Sequence, residues 1–273
     1  MMNTLKTSIF GSLPCPKNFN ELLSLIAENR KKASSWNVSY WRGQSSIEWK
    51  IDSGAVRRLK HKKNRCQKPS NIKDSDICWY EKKLIEKSRK NMFDFDSHNR
   101  RMSDFEILVK LQHHGAATRL VDFTKSALIA LFFCVNDQEY QNDYGLLFGI
   151  DTHIIGGHED DFDFGLNYDN LIEFTQDSST VYSISPPPIS SRIAAQHAIL
   201  LYSKYTDGTY GSLCLEEESE YYKFIAISPE LKIQCNDYLT NFFDITRSTM
   251  FPDFTGFCEI NSANWGTGEH TRW

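Results

Sequence analysis

Two histidines, one arginine, one aspartate and two threonines fall within the twelve residues from His113 to Thr124, around the single Gly115. These types cover the elementary operations of polar catalysis. Imidazole and carboxylate move protons, guanidinium binds oxyanions, and hydroxyls orient polar groups. An apolar segment precedes this stretch and another, Ala127 to Val135, follows it at once, so a polar loop is held between two rigid elements, where sites usually form. Structural duties for the same residues stay open. Asp122 can cap the following helix, Arg119 can pair with a carboxylate, and the histidines can satisfy backbone groups. Arg42 is a second candidate, at the end of the strand-prone run Val38 to Trp41 and beside Gly43. Its planar guanidinium can hold oxyanions through paired hydrogen bonds, or form a buried pair with Asp122 or Asp52.

The elements that must position these residues are read from periodicity. Phe19 to Lys32 suits an amphipathic helix capped by Asn18 or Asn20, and Val38 to Gln44 suits a strand leading into a turn. Helices are expected over Asp76–Lys90, Asp104–His113 and Ser126–Val135, and a strand over Tyr144–Asp151. The later half reads as short strands at Leu171–Phe174, Ala198–Tyr202, Gly211–Leu215 and Tyr221–Ile227. Pro186 to Pro188 is extended and delivers the chain into Ser191–Gln196. No repeat or linker divides the sequence, so one mixed α+β domain over residues 36–273 is expected after an N-terminal helical segment over residues 1–35.

With 273 residues, 40% of them apolar and 13% aromatic, the chain has material for a substantial core. Its longest apolar run is nine residues, against roughly 20 for a membrane span, and no basic start leads into an apolar stretch, so neither a membrane nor an export segment is expected. Seven cysteines are scattered without a CxxC pair, which suits a reduced cytoplasm and gives no reason to expect a metal. The net charge of −4 hides an asymmetry, because residues 50–101 carry 16 Lys or Arg against 7 Asp or Glu. Arg57, Arg58, Lys60, Lys62, Lys63 and Arg65 form the densest part. Such a block is either a solvated face or the electrostatic footprint of a nucleic-acid contact.

Four ordered blocks carry a resemblance. Trp41-Arg42-Gly43-Gln44, Leu111 to Gly115 with Thr118 to Thr124, Ser191 to Gln196, and Met250 to Asp253 resemble the FRG domain over about residues 36–260. Here Trp41 stands where Phe or Tyr is frequent, and Ala198 where Gly is often found. The layout is in turn similar to that of ADP-ribosyltransferases, which hold NAD in the cleft of a split antiparallel sheet with flanking helices.

That resemblance implies roles for individual residues. Arg42 would grip the dinucleotide together with Gly43 and Gln44, and Thr118, Arg119, Thr124 and Ser126 would also contact it. Gln196 falls where a catalytic Glu is common. An amide there supplies a hydrogen bond without charge, so Asp122 would offset the positive charge developing on the ribose or deprotonate the acceptor. Proteins with this domain resemble toxin components of bacterial antiphage and toxin–antitoxin systems. The expectation is therefore an NAD-dependent ADP-ribosyltransferase toxin acting on a macromolecule, RNA before DNA, with the basic block as the nucleic-acid contact. A neutralising antitoxin protein is the implied partner, for which Glu159–Asp163 and Glu216–Glu220 are candidate surfaces or plain solvated loops. A non-catalytic NAD- or nucleotide-binding sensor ranks second, and a hydrolase or nuclease using His113, His114 and Asp122 third. A metal nuclease wants several converging carboxylates, and this stretch offers one.

Overall fold

A computed structural model describes residues 3–28, 39–65, 71–96, 98–156, 167–176, 179–186, 190–217 and 219–262. Outside these lie the acidic segment 159–163, Pro187 and Pro188; the side chains of Lys62, Lys63 and Arg65 are likewise outside the description.

Seven strands form one mixed sheet: β3 (Ser39–Gln44), β4 (Val121–Thr124), β5 (Gly145–Asp151), β6 (Ile155–Gly156), β7 (Val181–Ile184), β8 (Ala198–Tyr202) and β9 (Tyr222–Ile227), in the order β6-β7-β8-β4-β3-β5-β9. All neighbours pair antiparallel except β6 and β7, which are parallel. The decisive feature is the seam between β3 and β4. Six register pairs join β3 to β5 and four join β4 to β8, but Trp41↔Thr124 alone joins β3 to β4. Past that pair the ladder opens, leaving the middle of the sheet to be held by side chains.

Alternation along the strands assigns the faces. Trp41, Leu147, Ile225 and Ile227 pack against α1 (Phe19–Glu28), α5 (Ala127–Val135) and α8 (Pro229–Phe243). Leu120, Ile184, Leu200 and Tyr202 pack with residues of α3 (Asp74–Lys90), α4 (Asp104–His113) and α6 (Tyr168–Gln176). Tyr40, Val121, Phe123, Phe148, Ile199 and Leu201 form another core, closed by Phe10 and Leu13 of the β1–β2 hairpin (Asn3–Thr7, Gly11–Cys15). Asp122, opposite Leu200 in register, therefore emerges between two groups of packed helices.

Most local expectations hold. Asn18 caps α1 by accepting from Glu21 N at 2.9 Å, and α4 starts on a capping box of Ser103 and Glu106. The exceptions have physical reasons. The N-terminal segment is a hairpin followed by α1, not helical throughout, and Pro14 sits in a strand because the hairpin is a separate two-stranded sheet with free edges. Leu171–Phe174, expected as a strand, lies in helix α6, where Tyr168, Leu171 and Thr175 are buried at helical spacing. Gly211–Leu215 is irregular; Gly211, at φ 146°, makes an isolated bridge to Ile51. The basic block is a helix, α2 (Gly54–Arg65), anchored by buried Ala55 and Val56. No helix among the described residues is long and apolar enough to cross a membrane.

Candidate functional site at the β3–β4 seam

Arg42 bridges the opened seam. Its Nη1 donates to the Asp122 carbonyl oxygen at 2.7 Å and its Nε to Gln44 Oε1 at 3.3 Å. Gln44 is itself buried, and its Nε2 donates to the Trp49 carbonyl at 3.0 Å, so β3 fixes the guanidinium two residues along the same face. On the other side, Gln112 at the end of α4 donates from Nε2 to Asp122 Oδ2 at 2.8 Å. Thr118 is fully buried; its hydroxyl donates to Gln112 Oε1 at 2.7 Å and accepts from Leu120 N at 3.2 Å. The result is a relay from Thr118 through Gln112 to Asp122 that fixes the orientation of the Gln112 amide and aims its N–H at the carboxylate.

Asp122 is exposed, and its carboxylate is held on one side by the Gln112 amide. Loss of surrounding water pushes its pKa up, and Arg42, the Gln112 amide and Arg57 pull against that without cancelling it. Burial likewise lowers Arg42, to about 10, against the attraction of Asp122; the nearby Arg57 lowers it further. Arg42 stays charged at neutral pH, and the carboxylate keeps more affinity for a proton than an ordinary aspartate. Asp122 does not cap a helix. Ser126 does so for α5, accepting from Ile129 N at 3.4 Å.

The four sequence blocks meet here in a continuous chain of contacts. Trp41 and Arg42 touch β4 as described. Lys125 N donates to the His197 carbonyl at 3.1 Å, fastening the turn after α7 (Ser191–Ala195) to the end of β4. Gln196, half-buried at the end of α7, donates from Nε2 to the Met250 carbonyl at 3.0 Å. Arg192 pairs with Asp253 at 2.8 Å and stacks over Phe251, 4.7 Å from the ring centre. His113 is half-buried beside this pair, and burial, His114 and Arg192 hold its pKa down against the pull of Asp253. His114 is exposed, so the two adjacent imidazoles lie in different surroundings.

Several of the expected contact residues make internal hydrogen bonds or packing contacts. Gly43 does not leave room for a ligand: a Cβ there would collide with the Ala130 carbonyl oxygen, so its bareness admits the α5 backbone. The Thr124 hydroxyl is buried and accepts from Ser126 N at 3.1 Å, while Ser126 is occupied as the α5 cap. Thr118 bonds to Gln112, and Gln44 to Arg42. Arg119 is committed to the interior, with Glu81 receiving both its backbone N–H at 2.6 Å and its Nε at 2.7 Å. Tyr168 and Asp74 complete that network, and the partners together hold the guanidinium charged despite burial.

The basic block divides in the same way. Lys60 pairs with Asp52 at 2.8 Å, and Arg58 lies over the Tyr80 ring. Arg57 instead comes within electrostatic reach of both Arg42 and Asp122. Sequence reasoning offers Arg192 as a phosphate binder or a structural anchor, and the structure pairs it with Asp253; Gln112 and Asp253 carry no such role in that reasoning, although each lies in a recognised block. The available signal was the repeated pairing of polar side chains across blocks, which becomes visible once the strand register is known.

Comparison with curated proteins and with solved structures gave no match. The family model described as the FRG domain matches residues 37–143, from the start of β3 past the end of α5, so both Arg42 and Asp122 lie within it while Gln196 and Asp253 lie beyond it. Over this part, and not over the rest of the described fold, the chain is similar to the FRG domain.

Proposed function

We propose that the cleft at the β3–β4 seam binds NAD and that the protein is an NAD-dependent ADP-ribosyltransferase acting on a macromolecule, nucleic acid and RNA before DNA. The observation that carries this reading is the convergence of Arg42, Asp122 and the Gln112 amide at an opening in the middle of the sheet. A cation for the diphosphate, a carboxylate for the ribose and a rigid amide between rigid elements are what cleavage of the nicotinamide glycosidic bond requires.

In this mechanism the guanidinium of Arg42 holds the diphosphate oxygens. The C1′–N bond of the nicotinamide ribose breaks, and its electron pair leaves with nicotinamide. Positive charge on the ribose is offset by the Asp122 carboxylate. The acceptor oxygen or nitrogen forms the new bond to C1′ and gives its proton to Asp122, whose raised proton affinity suits it to that step. The resemblance to toxins of antiphage and toxin–antitoxin systems extends the proposal to a growth-inhibiting activity held in check by a protein partner.

One observation favours the second reading, an NAD- or nucleotide-binding sensor. Gln196 carries no charge and spends an N–H on the Met250 carbonyl, as a structural residue would. The two readings separate on incubation of the purified protein with NAD labelled in the adenylate moiety, together with cellular RNA, DNA or protein. Transfer of label that is lost in Arg42→Ala and Asp122→Asn supports the transferase. Saturable NAD binding without transfer to any of the three assigns the sensor.

A further inference from the structure

A cavity of about 400 Å³, lined by none of the seam residues, lies between α3, α6 and the segment after β8. Trp79, Cys78 and Ile172 form its apolar wall, and the exposed Lys82 and Lys204 line it as well. The position of Trp79 follows from α3. Ile77, Glu81, Ile85 and Ser88 are buried at helical spacing and take the inward face, so Trp79, two residues from both Ile77 and Glu81, is turned outward and is 61% exposed. The floor is fastened to the core. Cys78 Sγ donates to Asp74 at 3.2 Å and Tyr205 N donates to Asp74 at 2.8 Å, while Arg119 Nη2 meets Cys78 Sγ at 3.1 Å. The buried Arg119 network therefore stands behind the cavity and ties α3 to the segment that carries Lys204.

Single exposed apolar side chains are ordinary on a folded surface, but an indole that walls a cavity together with two ammonium groups offers a defined pair of contacts. Its ring face can stack on any base, and the lysines attract the phosphates next to that base. The surroundings extend the same charge. Lys87 and Lys90 are exposed further along α3, and the basic helix α2 packs on α3 through Ala55, Val56 and Ile77, with Arg58 over the Tyr80 ring. Tyr205, next to Lys204, belongs to that contact. Lys82 is paired with Asp169 at 2.5 Å, but both side chains are largely in water, so a phosphate can displace the carboxylate. An acidic peptide would satisfy the lysines and leave the indole unused, whereas every nucleotide carries a planar ring and an anion together. We infer that this cavity holds one base of a single-stranded nucleic acid, stacked on Trp79, with the neighbouring phosphates on Lys82 and Lys204. The inference rests on the proposed reading for nucleic acid as the acceptor, but strand binding is measured without NAD.

The probe is a labelled single-stranded oligoadenylate, titrated with the full chain by fluorescence anisotropy over a range of salt. Wild type is expected to bind it more tightly than an RNA duplex, whose base faces are covered. Trp79→Ala should weaken binding at least about fivefold with the salt slope unchanged, and Trp79→Phe should restore part of the loss. Lys204→Ala should weaken binding and flatten the slope, whereas Asp169→Asn, which releases Lys82, should tighten it. Thermal melts establish that each variant is folded. Wild-type affinity in folded Trp79→Ala, no strand binding by wild type, or a preference for the duplex overturns the inference. Displacement of the strand by an acidic aromatic peptide as readily as by unlabelled oligoadenylate gives the cavity to a protein partner and overturns it too. Trp79-dependent strand binding without ADP-ribose transfer from NAD retains the cavity and sinks the transferase. Transfer to RNA with an unaltered RNA KM in Trp79→Ala does the reverse.

Discussion

Removing the Glu81 carboxylate tests the division between residues that hold the fold and residues that face the cleft. Glu81 is fully buried and Arg119 is 5% exposed. Glu81 accepts from Arg119 N, Arg119 Nε and the Tyr168 hydroxyl at 2.6, 2.7 and 2.6 Å. Glu81→Ala would strand a guanidinium in the interior, with Asp74 at 3.4 Å as the remaining carboxylate partner. Breaking one side of a buried pair costs about 3–5 kcal/mol. An unfolding entropy of about 0.6 kcal/mol/K for a chain this long converts that to a Tm lower by about 5–9 °C. Tyr168→Phe removes one hydroxyl that both donates and accepts, so about 1–3 kcal/mol is expected. The double variant Glu81→Leu with Arg119→Met removes both charges and should recover much of the loss. Calorimetric melts measure all three. A Glu81→Ala protein melting within 2 °C of wild type would refute the argument, as would loss of NAD binding in variants still folded at the assay temperature.

Three further outcomes follow from the cleft and its supports. Asp122→Asn should melt higher than wild type at neutral pH. A raised native pKa means that the native state binds more protons than the unfolded chain between the ordinary and the raised value, so wild-type stability falls as pH rises through that window; Asn abolishes the slope, and Tm against pH reads it. A Tm for Asp122→Asn that is lower at neutral pH and tracks the wild-type pH slope would contradict this. Gly43→Ala drives a methyl into the α5 backbone, where no side chain can yield, and should cost several degrees of Tm or soluble expression; a wild-type melt would show that α5 is not seated there. Lys232 is buried with its ammonium on the Ser45 and Tyr140 carbonyls, so Lys232→Met should lower stability by about 2–4 kcal/mol through two orphaned acceptors. A cost below 1 kcal/mol in urea unfolding would mean those carbonyls find water.

The sequence disclosed what local physics controls. Asp104–His113 is helical as read, because a capping box opens it and its apolar residues repeat at helical spacing. Ser126–Val135 was legible for the same reason. Arg42 and Asp122 were legible as unusual charges between apolar elements, and their contact was among the alternatives weighed. What local pattern could not disclose was register. Whether Gly43 faces a ligand or α5, and whether Thr118 touches a cofactor or holds Gln112, depends on which strands pair and where the ladder opens. Arg119 shows the limit most plainly: its partners Glu81 and Asp74 lie some forty residues earlier, on a helix whose packing only the fold supplies. Short apolar runs failed similarly, since Leu171–Phe174 is compatible with a strand until burial at Tyr168 and Thr175 is known.

The central claim is that the β3–β4 cleft is an NAD site built on Arg42. Calorimetric titration of NAD into wild-type protein and into folded Arg42→Ala tests it directly. Saturable one-to-one binding, weakened at least tenfold by the substitution, is the predicted result; NAD affinity unchanged in Arg42→Ala, or no binding to wild type, would contradict the account.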